Sequence, residues 1–175
     1  MRCTKLMIIR HAEKPDRHAG AIGVTEAGVP DKRELTPKGW QRAIALVRLF
    51  NPAAADRLPM GLAVPGAIFA AAPTRNNPSK RSMDTVRPLA TRLGLEIRAD
   101  FAPHQERDLI TAAMDASPAV LICWHHSRIP KLVGRLGIEI DDWPEAVYNR
   151  MLVLDQAGEE WRLRVLAQRL LPDDR

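Results

Sequence analysis

The 175 residues are 46% hydrophobic and 27% charged, with a formal net charge of +5, which suits one globular domain over residues 1–175 and favours an anionic ligand. No apolar stretch approaches the roughly 20 residues that cross a bilayer, and no internal repeat is visible, so neither a membrane partner nor a solenoid is expected. Aromatics make up only 5% and the positive charge is spread along the chain, which argues against nucleic acid as the main partner.

The chain opens Met1-Arg2-Cys3-Thr4-Lys5 and runs directly into an apolar segment, leaving no room for a removable leader; the cytoplasm is the expected address. Thr4 to Ile9 reads as a buried strand that ends abruptly in Arg10-His11, delivering two polar side chains to a sheet edge where open α/β sheets bind ligands. A neutral imidazole is a good nucleophile toward phosphorus. An adjacent guanidinium can hold phosphoryl oxygens while disfavouring protonation of the ring. Residues 14–34 form a polar loop, and at its start Glu13 or Lys14 is the best placed to reach a bound phosphate.

Leu35-Thr36-Pro37-Lys38-Gly39 is a helix entry, with Thr36 as cap and Pro37 in the first turn. Trp40, Ala43, Ile44, Val47 and Phe50 then recur at helical spacing as the expected core stripe, and Asn51-Pro52 ends the helix. Asp56 to Gly66 reads as an irregular connection. Ala67 to Ala71 is a second short strand, followed by a basic loop whose Asn77, Pro78 or Ser79 opens the next helix, with Lys80 and Arg81 in its first turn as a candidate phosphate site. That helix carries an apolar face to Gly94 and should kink at Pro88.

Leu95 to Arg98 suggests a short strand leading to His104-Gln105-Glu106, where Glu106 or His104 could protonate a leaving group; a helix then runs through Leu109 to Met114. Ala119 to Trp124 is the clearest buried strand. It ends in His125-His126, and a helix follows at once to about Gly137. Val147 to Asp155 and Glu160 to Val165 suggest a hairpin turning at residues 156–158, and the last four residues read as a frayed tail. Cys3 and Cys123 sit beside apolar runs and are expected as buried thiols rather than a disulfide; the five histidines lack metal-ligand spacing, so no metal or other cofactor is expected.

Taken together, Arg10-His11, the Leu-Thr-x-x-Gly at 35–39, Arg81 with Thr85, and Trp124-His125-His126 resemble the motifs of the histidine phosphatase superfamily, in their order and spacing, from Ile8 to about Gly137. The resemblance implies a phosphoglycerate mutase-like α/β fold, three layers α/β/α around a mostly parallel central sheet. It implies that His11 accepts the phosphoryl group and that Arg10, Arg81 and a second histidine clamp its oxygens. Strand length favours His125 for that second histidine, and the Trp-x-His-x-x-Ile-Pro pattern favours His126, which is placed first. The chain departs from the family where Ala12 follows the histidine in place of a common glycine, and where Glu13 and Glu106 are both candidates for the proton-donating carboxylate. The implied function is metal-independent hydrolysis of a phosphomonoester or phosphoramidate through a phosphohistidine, on a phosphorylated small molecule or a phosphoprotein. The alternatives are a catalytically weak phosphate-binding module of the same fold and a mutase-like phosphotransferase.

Overall fold

A computed structural model describes residues 2–50, 58–59 and 61–174. The expected end of the first helix at Asn51-Pro52 and the start of the irregular connection fall outside them. Six strands form one sheet: β1 (Lys5–Arg10), β2 (Ala67–Ala70), β3 (Ile97–Arg98), β4 (Ala119–Trp124), β5 (Arg150–Ala157) and β6 (Glu160–Ala167), in the spatial order β3-β2-β4-β1-β5-β6. The first four in that order run parallel. β5 and β6 form an antiparallel hairpin added at the β1 side.

The near-continuous apolar runs of β1 and β4 follow from burial on both faces. Alternate side chains sort to opposite layers. Leu6, Ile8, Val120, Ile122 and Trp124 pack on one side against α3 (Glu106–Ala116) and α4 (Ile129–Gly134). Met7, Ile9, Leu121 and Cys123 pack on the other against Leu46 and Phe50 of α1 (Pro37–Phe50) and Val86 and Leu89 of α2 (Arg81–Leu93). The three-layer α/β/α architecture is therefore present, with Cys3 and Cys123 as separate buried thiols.

Four expectations need correction. Ile44 is 61% exposed, because the inward face of α1 runs through Gly39, Arg42, Ala43, Leu46 and Phe50; Arg42 can lie inward because two carboxylates neutralise it there. α2 begins at Arg81, with Lys80 as its cap residue, and carries Pro88 within it. A 3-10 turn at His126–Arg128 intervenes between β4 and α4. The tail is not frayed at Asp174: its carboxylate accepts from Arg42 and from the N–H groups of Leu170 and Leu171.

The Leu-Thr-x-x-Gly segment has a local physical reason. Thr36 Oγ1 accepts the Gly39 N–H at 3.1 Å, as a helix cap does, and donates to the Glu13 carbonyl at 3.2 Å. A Cβ at position 39 would stand 2.6 Å from that same carbonyl. The glycine thus lets α1 press directly on the backbone just beyond His11.

Candidate active site

Because Arg10 pairs in register with Trp124, β1 and β4 end side by side, and the residues that follow each strand meet at one sheet edge. His11 is buried there. Its Nδ1 lies 2.7 Å from the Ala12 carbonyl, which can only accept, so Nδ1 carries the proton and Nε2 keeps its lone pair. Among the described residues, Arg10 Nη2 approaches Nε2, at a long 3.5 Å. Burial first, and the charge of Arg10 second, push the His11 pKa well below the ordinary histidine value. The imidazole is held neutral.

Arg10 is fully buried. Its guanidinium lies 4.0 Å above the Tyr148 ring and donates through Nη1 to the Glu145 and Val147 carbonyls, while its Nε has no partner among the described residues. Arg81 comes from the opposite side, its Nε donating 3.1 Å to the Arg33 carbonyl. Thr85 ties the two halves together: its Oγ1 accepts the Ala12 N–H at 2.8 Å and donates to the Arg81 carbonyl at 2.7 Å. The i,i+4 spacing of Arg81 and Thr85 therefore fixes the start of α2 against the residue after His11.

A cavity of 70 Å³ lies between these groups, with His11, Asn77, Ser79, Arg81, Ser82 and His125 in its wall. It is roughly two water volumes, the scale of a tetrahedral oxyanion, and it opens at the N-terminus of α2, where free N–H groups favour anions.

Of the two adjacent histidines, His125 lines this cavity, its ring centroid 6.2 Å from that of His11. Its Nδ1 lies 2.9 Å from Ser127 Oγ, and burial with the Arg10 charge lowers its pKa. His126, placed first in the sequence reading, instead stacks behind His125 at 4.8 Å, and burial and Arg10 push its pKa down to about 4. The geometry puts His125 in the cavity wall and His126 outside it. β4 ends at Trp124, so His125 is the first residue past the strand.

Neither expected proton-donating carboxylate is free. Glu13 points into a separate cleft of 960 Å³ that shares no lining residue with the His11 cavity, and its oxygens accept from Arg42 at 2.7–3.1 Å. Glu106 is buried; burial alone would raise its pKa, but hydrogen bonds from Arg128, the His104 N–H and Trp124 outweigh it and hold the carboxyl at about 2. Lys14 also faces the larger cleft and pairs with Glu145, while Lys80 does not line the His11 cavity. Of the four expected phosphate contacts, Arg81 lies in the cavity wall and Arg10 adjoins His11; Lys14 and Lys80 do neither.

Sequence reasoning missed Tyr148, Asn77 and Ser82. Tyr148, the only tyrosine, braces Arg10 from a segment more than 130 residues away, and no local pattern marks it. Asn77 stood within the basic loop already singled out, and Ser82 follows Arg81 just beyond that loop. Among the described residues no cluster of three metal-ligating side chains occurs, and no helix is long and apolar enough to cross a membrane.

The chain has the fold of the histidine phosphatase superfamily. Among solved structures, a candidate alpha-ribazole-5'-P phosphatase from Escherichia coli superposes with a TM-score of 0.58 at 14% identity, covering 97% of this chain and 98% of its own. The protein histidine phosphatase SixA, complexed with tungstate, gives 0.58 at 14% identity over 94% and 97%, and Bacillus stearothermophilus YhfR gives 0.57 at 13% over 93% and 96%. At these identities the likeness concerns the fold. No known family's sequence profile matches the chain, and no curated protein does.

Proposed function

We propose that the protein is a phosphatase that hydrolyses a phosphomonoester or phosphoramidate through a phosphohistidine on His11. The observation that carries the reading is the state of that side chain: a buried imidazole, its Nδ1–H committed to the Ala12 carbonyl and its Nε2 lone pair left for a cavity of oxyanion size. Nε2 attacks phosphorus while Arg81, His125 and the N-terminus of α2 hold the oxygens that gain charge, with Arg10 behind the ring keeping it unprotonated. Water then cleaves the phosphohistidine in a second step. None of these roles needs a metal ion.

The substrate is a phosphorylated small molecule or a phosphoprotein. The engagement of both Glu13 and Glu106 favours a second reading, a binding module that holds a phosphorylated partner without turning it over. One experiment separates the two. EDTA-treated wild type and His11→Ala are compared on p-nitrophenyl phosphate, with acid-quenched trapping of the phosphoenzyme. Turnover that survives EDTA, vanishes with His11 and leaves acid-labile phosphate on the protein is expected; a well-folded wild type that turns over neither this ester nor a phosphohistidine peptide would establish the binding module instead.

A further inference from the structure

The 70 Å³ cavity shares part of its wall with a neighbouring space. A second cavity of 350 Å³ adjoins it and shares Asn77, Pro103 and His125 with its wall. A phosphoryl group seated against His11 would therefore extend its leaving group into this outer space. Thr74, Asn76, His104, Ser127 and Arg128 complete its lining. Arg128 is committed to Glu106, and Ser127 to His125.

His104 stands apart among these residues. Its backbone adopts φ +85°, a left-handed conformation that a residue with a side chain enters only at a cost. The surrounding structure enforces it. Glu106 Oε1 accepts the His104 N–H at 3.0 Å, and the same buried carboxylate is gripped by Arg128 and Trp124. Strain of this kind persists where the fold over-determines a position, and it clusters at working sites. The carboxylate expected from sequence to give a proton instead holds the backbone of the imidazole two residues earlier at the rim of the leaving-group space.

We propose that His104 is the proton donor to the leaving group, with Glu106 as the positioning residue that fixes it, and that the natural substrate is an ester whose alkoxide-like leaving oxygen needs that proton. This rests on the phosphatase reading above. The His11 Nε2–phosphorus bond forms as the phosphorus–oxygen bond breaks; the electron pair of the broken bond stays on the leaving oxygen, which takes the proton from the protonated imidazole of His104. Water then attacks the phosphohistidine, the Nε2–phosphorus electron pair returns to Nε2, the proton lost by water goes to His104, and inorganic phosphate leaves. No oxidant or other co-reactant is required.

The test compares kcat/KM for p-nitrophenyl phosphate and phenyl phosphate in wild type, His104→Gln and His104→Gly. Glycine accepts φ +85° without strain, so His104→Gly is expected to melt no lower than wild type, and inhibition by inorganic phosphate checks that the His11 cavity is intact. General acid assistance is worth about 10²–10⁴-fold where the leaving group needs it. Both variants should therefore lose at least about 100-fold on phenyl phosphate and much less on the nitrophenyl ester, widening the ratio between the two by about 30-fold or more. A ratio unchanged from wild type in both folded variants overturns the assignment while leaving the phosphatase reading intact. A wild type inactive on both esters overturns both.

Discussion

Replacing Glu106 by Gln tests whether that carboxylate is a strut or the catalytic acid. In the folded protein it sits at about 2, against about 4.3 for an unperturbed glutamate, a difference of roughly two units at about 1.4 kcal/mol each. The side chain is 1% exposed and its Arg128 partner 24%, so solvent screens the interaction little, and the ionised carboxylate contributes up to about 3 kcal/mol near neutral pH. The pKa is depressed in the folded state, so the stabilisation is complete above the unfolded value of about 4.3 and is lost as pH falls toward 2. Urea unfolding at pH 7 should therefore show Glu106→Gln less stable by about 3 kcal/mol, a melting drop of about 6–12 °C for a chain of this size. The gap should narrow below pH 4.3 and nearly close at pH 2–2.5. A variant as stable as wild type at pH 7 would refute the strut.

Three further outcomes follow from the site's frame. Gly39→Ala places a methyl group 2.6 Å from the Glu13 carbonyl, and the resulting displacement of α1 should cost about 1–3 kcal/mol in chemical unfolding and lower turnover by moving the backbone after His11. Asp174→Asn removes one of the two carboxylates that neutralise buried Arg42. Burial raises the Asp174 pKa, but Arg42 and two N–H groups bring it to about 2, so a loss of about 2–3 kcal/mol is expected at neutral pH, fading below pH 4. In NMR titration of the free protein, the His11 ring should stay neutral through pH 6.5 and well below, with the proton on Nδ1; a His11 midpoint at 6.5 would contradict its burial beside Arg10.

Much of the fold was legible because its signals are local. The apolar runs of β1 and β4 are long enough to demand burial on both faces, and Thr36, Pro37 and Gly39 mark a helix start by their own backbone chemistry. Arg10-His11 could be read as a site because polar residues at the end of a buried strand must emerge at the sheet edge. What failed were judgements about partners. Ile44 lies outward and Arg42 inward because the inward face of α1 depends on Glu13 and Asp174, which lie 29 and 132 residues from Arg42 in sequence. The same limit applied to the carboxylates. A glutamate near a histidine is equally a proton donor or an anchor until its neighbours are known, and Arg42 and Arg128 make anchors of both.

The sequence by itself determined which residues could do chemistry on a phosphate: a histidine behind an arginine, a second arginine at a helix start, and further histidines after a second strand, each placed by a period or a cap that its neighbours enforce. Tertiary structure alone decided which of them work together. It set the direction in which each side chain leaves its strand, put His125 rather than His126 across from His11, turned Glu13 into another cleft, and brought Tyr148 under Arg10. These are contacts between segments far apart in sequence, and local propensity carries no information about them.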